Sequence, residues 1–187
     1  MLQVESMMGR KHRPNWLLMM CLMVSCSWVQ ADDLAIMHED FTKGGYAEVL
    51  KLAKLAAYPK GSREHDACLY LMGGSYFYLG KYGEAKPLLD EHVKSYPKSQ
   101  FSMHTEYFQA SNLTRLMKWQ QAADLLSDFL EKYPDPQVNV YMPMALYDRS
   151  NCAYVLEEMD YGVTLLKRLE QKFPNSAVAD MGDALRG

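Results

Sequence analysis

Between Asp66 and Ser99 the apolar positions recur at helical spacing in two short runs. Leu69, Met72 and Tyr76 mark one face of a first helix, and Leu88, Leu89 and Val93 mark one face of a second. Gly80 separates the runs, where a helix end calls for a residue tolerant of positive φ, and Pro97 closes the second run. Small residues, Gly73 and Ala85, stand where the two backbones must approach. A hairpin of this size cannot bury its apolar faces alone, so the pattern predicts copies.

The copies are present. The closing proline recurs as Pro97, Pro134 and Pro174, at spacings of 37 and 40. The small residue of the second helix recurs as Ala85, Ala122 and Gly162, each followed four residues later by leucine (Leu89, Leu126, Leu166). That of the first helix recurs as Gly73, Ala110 and Ser150. A weaker copy comes before them, with Gly44, Tyr46, Val49 and Ala53 in the turn and second-helix places. The predicted helices are 32–43, 46–58, 64–79, 82–96, 102–117, 119–133, 141–156 and 161–173, with a further one starting at 177.

These residues resemble the tetratricopeptide repeat family, whose repeat is 34 residues long. Gly73, Gly80, Tyr82, Ala85 and Pro97 fit its small-residue, turn and proline places. The next copy keeps Ala110, Trp119, Ala122 and Pro134 but has Met117 for the turn glycine, and the third has Glu157 and Met159 in the turn. The resemblance implies an all-α fold, a right-handed superhelical solenoid of antiparallel helix pairs. It would comprise a degenerate repeat at 32–62, repeats at about 66–99, 103–136 and 143–176, and the start of a further helix at 177–187.

The first 31 residues read as a leader rather than fold. Arg10, Lys11 and Arg13 form a basic region, an apolar run extends from Trp16 to Val29, and Val29-Gln30-Ala31 offers a small-residue cleavage pattern. An uncleaved anchor is one alternative, although the run is short for a span of about 20 residues. Another is a lipoprotein, because Met23-Val24-Ser25-Cys26 has the outline of a lipidation box; Cys26 is then the modified residue and the N-terminus a membrane attachment. Loss of Arg10, Lys11, Arg13 and Glu5 with the leader takes the net charge from −3 to −5, which argues against a nucleic-acid surface. The leader and the repeat ends SYPKS, KYPDP and KFPNS resemble periplasmic repeat arrays of Gram-negative bacteria. The expected location is therefore exported and periplasmic, with outer-membrane anchoring as the lipoprotein alternative.

The resemblance also names the residues that would line a concave face, at the fifth, ninth and twelfth positions of each first helix. The fifth positions are Tyr70, Tyr107 and Tyr147; the ninth are Gly74, Ser111 and Asn151; the twelfth are Phe77, Thr114 and Tyr154, with Arg115 beside Thr114. Three tyrosines in equivalent places would form an aromatic ladder suited to a peptide or extended partner segment. The same rings could equally pack between adjacent first helices. Tyrosine at every fifth position excludes the carboxylate-clamp subgroup of the family, which needs a basic residue there.

Enzyme signatures are lacking: there is no HExxH, P-loop, GxSxG or dinucleotide fingerprint, and no cofactor is implied. His38-Glu39-Asp40 and Asp90-Glu91-His92 place their side chains apart on a helix. His65 and Asp66 read as helix-start polar residues. His92 falls where a second helix usually buries a small or apolar residue and reads as a buried histidine; a catalytic base is the remote alternative. Cys68 and Cys152, two repeats apart, lie too far apart for a disulfide's Cα limit of about 7 Å and should be free. The sequon Asn112-Leu113-Thr114 falls mid-helix and is discounted. The expected role is a non-catalytic module binding a protein or peptide segment. The alternative is a structural fragment, or an accessory repeat domain, of a longer envelope protein or enzyme.

Overall fold

The helix pairs close through one recurring turn. In the computed structural model, which describes residues 33–178, the second residue after each first helix is left-handed: Gly44, Gly80, Met117 and Glu157 have φ of 82°, 70°, 57° and 63°. The following N–H reaches back five residues, Lys81 to the Tyr76 carbonyl, Lys118 to Leu113 and Glu158 to Ala153. This is the six-to-one bond of a Schellman motif. Two of the four turns thus keep the geometry without the glycine that normally supplies it.

The helices are α1 (33–42), α2 (Tyr46–Ala53), α3 (Arg63–Tyr78), α4 (Tyr82–Ser95), α5 (Ser102–Arg115), α6 (Trp119–Lys132), α7 (Met142–Val155) and α8 (Met159–Lys172). No strand occurs among the described residues. Three boundaries depart from the periodicity by two residues or more, one of them the end of α5, which stops at Arg115 rather than 117 because Met117 is already left-handed. Helix α2 stops at Ala53, not Tyr58, because Pro59 disfavours helical backbone at the residue before it and Tyr58 turns into the core. Helix α8 starts two residues early, straight after the turn. Helix α3 is capped by Ser62, whose hydroxyl accepts from the His65 N–H at 3.1 Å.

From α2 onward each helix packs on the next, and the first helices also touch one another, α3 on α5 and α5 on α7. The second helices α4, α6 and α8 make no such contacts, so they fan apart. The chain is an all-α solenoid of helix pairs whose inner face is built from first helices. Ala85 and Leu89, Ala122 and Leu126, and Gly162 and Leu166 are all buried at the pair interfaces. A Cβ on Gly73 would come 2.8 Å from Leu89 Cδ2, which explains the small residue there. The leader, Cys26 and most of the helix expected from 177 lie outside the described residues.

Candidate functional site

The nine inner-face candidates divide by burial. Tyr70 is buried, its ring flat on Phe101 (centroids 4.5 Å apart, planes 7° apart). Tyr107 is buried in the same way on Tyr141, at 4.5 Å and 13°. For these two residues the packing alternative describes the structure: their rings join one first helix to the start of the next. Phe77 is half-buried and stacks on Phe108 at 5.2 Å. Thr114 is buried beside Cys152, with 3.9 Å from Oγ1 to Sγ. Tyr147 and Asn151 are half-buried, whereas Arg115 and Tyr154 are exposed.

A polar knot lies beneath these rings, around Asp148 of α7. Ser111 donates its hydroxyl to Asp148 Oδ2 at 2.7 Å, Tyr107 donates more loosely at 3.3 Å, and Arg115 Nη2 lies 3.8 Å from Oδ1. Asp148 is only 2% exposed, and burial pushes its carboxyl above the usual range against the pull of Ser111, Arg115 and Tyr107. Burial likewise pushes the Tyr70 and Tyr107 hydroxyls up. The knot ties α5 to α7, and Arg115 carries its charge to the surface of the inner face. Asp148 was not foreseen, because a single acid in an apolar run has no repeated counterpart.

An opening on the inner face lies at the N-terminal ends of α1, α3 and α5. It is an open groove of about 790 Å³, walled by Leu34, His38, Ala67, Phe101 and His104, with Arg63 and Glu64 at its rim. Phe101 belongs both to the stack on Tyr70 and to this wall. The His104 ring meets Tyr70 and Tyr141 edge-on, and burial lowers its pKa. The groove residues escaped the repeat pattern. One signal was available: Phe101 and Tyr141, 40 residues apart, each immediately precede a first helix.

The remaining polar candidates are structural in placement. His92 is wholly buried, with Nε2 2.7 Å from Asp66 Oδ1, at the position that Phe129 and Leu169 fill in the next two repeats. A substrate has no path to a fully covered ring. His65 Nδ1 lies 2.7 Å from the Tyr96 hydroxyl, which also accepts from Gly61 N–H. Asn112 is buried, and its amide donates to the Tyr82 carbonyl, so the sequon is sealed. Cys68 and Cys152 are free and buried. Among the described residues no group of three metal-ligating side chains comes together, and no helix is long and apolar enough to cross a membrane.

A search of curated proteins found no match to this chain. The model of the tetratricopeptide repeat family matches residues 67–99 and 108–136, which are α3–α4 with its following turn and α5–α6 with the segment after it. The flanking pairs α1–α2 and α7–α8 close through the same left-handed turn. The turns, the buried small residues and the family match agree over α3–α6, and this stretch of the chain carries tetratricopeptide repeats.

Proposed function

We propose that the protein is a non-catalytic interaction module of the bacterial cell envelope that holds a segment of a partner protein in the groove at the N-terminal ends of α1, α3 and α5. Tetratricopeptide repeats generally mediate protein–protein interaction. The observation that supports this site is the groove itself: an open trough of about 790 Å³ with an aromatic and aliphatic wall and charged groups at its rim. Such a surface buries apolar side chains while its edges fix polar ones. Arg115, Asn151, Tyr147 and Tyr154 extend the inner face towards α7 and offer one cation, one amide and two phenols to the same segment. The envelope location rests on the basic, apolar and small-residue order of the leader.

Photo-crosslinking in the native host tests the site. A benzophenone amino acid at Ala35, an exposed residue lining the groove, is compared with one at Asp124, exposed on α6. A discrete protein adduct at Ala35 and not at Asp124 is the expected result. No adduct at Ala35 in a folded protein, or equal adducts at both, overturns the groove. N-terminal sequencing of the fractionated protein reads the location independently, with Asp32 expected as the first residue in the periplasmic fraction.

A further inference from the structure

A second opening lies roughly 18 Å further along α3, at twelve residues of 1.5 Å rise from Ala67 to Leu79. It is a notch of about 450 Å³ between α2 and the α3–α4 turn, and it shares no residue with the inner groove. Its apolar floor is Leu50, Leu55 and Leu79, and its rim is Lys51, Lys54 and Lys81. Leu55 is 81% exposed and Leu79 40%. No acidic residue lines it.

What sets this notch apart is the gathering of three lysines around one apolar floor. Lys43, Lys60, Lys86 and Lys132 each lie against a carboxylate, at Glu39, Glu91, Asp90 and Glu106, and other lysines without an ion pair, such as Lys94 and Lys118, stand outside the notch. Lys51, Lys54 and Lys81 form no ion pair among the described residues. Three unpaired cations around an exposed leucine floor, in a chain of net charge −3, are a local reversal of the protein's field. We propose that this notch is a second docking surface, for an acidic protein segment that inserts one or more apolar side chains between Leu55 and Leu79 and lays its carboxylates on the three lysines. Single-stranded nucleic acid fits poorly, because no aromatic ring lines the notch to stack a base. An anionic membrane fits less well than a peptide, since the surface is indented and three lysines are fewer than a polybasic patch needs.

The test pans a display library of random dodecapeptides on the full-length protein and measures the enriched peptides by fluorescence anisotropy. The expected enrichment is Asp and Glu beside a leucine, isoleucine or phenylalanine. Their Kd should rise at least tenfold in the variant carrying Lys51→Glu, Lys54→Glu and Lys81→Glu, and again between about 50 and about 500 mM salt. It should stay unchanged in Ala35→Trp, which fills the inner groove. If circular dichroism shows the glutamate variant unfolded, the Lys→Gln triple replaces it, with at least a fivefold rise expected. Enrichment without acidic character, or binding indifferent to the lysine changes, overturns the notch. Acidic peptides lost in Ala35→Trp instead assign them to the inner groove and overturn the notch while leaving the proposed function standing. Cosedimentation with phosphatidylserine vesicles, together with no acidic enrichment, overturns it in favour of a membrane surface.

Discussion

Tyr107 lies face to face on Tyr141, ring centroids 4.5 Å apart and planes within 13°, and Tyr70 repeats the relationship with Phe101 one repeat earlier. In each pair a tyrosine in mid-helix meets the residue immediately before the next first helix. The stack therefore couples successive repeats and also sets the angle at which the next pair enters. A solenoid has only nearest-neighbour interfaces, so loss of one stack is felt as loss of one coupling. Phe101→Ala should cost about 2 kcal/mol, below the usual core value because Phe101 is only half-buried. Phe101→Tyr should cost less than about 0.5 kcal/mol. Urea midpoints check both, and an alanine variant as stable as wild type would show that the stack carries no coupling.

The non-glycine turns predict a gain. Met117 and Glu157 hold φ of 57° and 63°, a conformation costing an L-residue about 1–2 kcal/mol. Both side chains are exposed, so little packing is lost with them. Glycine removes the strain but adds unfolded-state entropy, which returns part of the gain. Met117→Gly and Glu157→Gly should each stabilise by about 0.5–1 kcal/mol, and Gly80→Ala should destabilise by about 1 kcal/mol. A fall in melting temperature for Met117→Gly would mean that its side chain contributes more at the surface than the turn costs.

What could be read from the chain follows a physical rule. Features imposed by every helix pair, such as Ala85 and Ala122 at the close approach or Leu89 and Leu126 beneath it, repeat and so stand out. The turn at Met117 is the instructive exception, because the hydrogen bonds from Met117 and Lys118 enforce glycine-like geometry on a residue that does not advertise it. Features that serve one junction do not repeat. Asp148 answers Ser111 and Tyr107 across a single interface, and Asp66 answers His92 where the other copies pack Phe129 and Leu169. The inner tyrosines all lie on first helices, but burial separates Tyr107 from Tyr154, and spacing alone carries no information about how closely the next repeat sits. The groove wall at Phe101 lay outside the periodic stretch altogether.

His92 gives the fold a pH dependence of definite sign. Burial lowers its pKa below the ordinary 6.5, although Asp66 and, more weakly, Glu106 pull the other way. Burial lowers His104 too. The unfolded chain therefore takes up protons below about pH 6.5 that the folded chain refuses, and stability present above that value is lost as pH falls towards the folded pKa values. Asp148 works in the opposite sense at lower pH, because its raised carboxyl favours the folded state as pH falls towards 3.8. Urea titrations at about pH 7.5 and about pH 5.5 should show wild type losing stability across the interval, His92→Gln losing less, and the His92→Gln/His104→Gln double variant least. Equal slopes for all three would place the pH dependence elsewhere.

Thiol reactivity offers a route to the opening of single repeats. Burial pushes the Cys68 thiol up to about 11 and raises that of Cys152 as well. Both are covered in the folded state, so a disulfide reagent near pH 8 should modify them slowly in native protein and rapidly in denaturant. If modification needs global unfolding, its rate follows the open population, and the Phe101→Ala cost of about 2 kcal/mol should speed both sites by roughly 30-fold. If repeats open singly, the sites must diverge. Cys68 in α3 is on the helix whose Tyr70 loses its stacking partner, so it should accelerate. Cys152 in α7 is held by the intact Tyr107–Tyr141 stack and the Asp148 knot, so it should not. Mass-spectrometric mapping of the two labelled peptides over time separates these cases. Equal acceleration would establish one cooperative unit, and acceleration at Cys68 alone would show that the junction at Phe101 divides the solenoid.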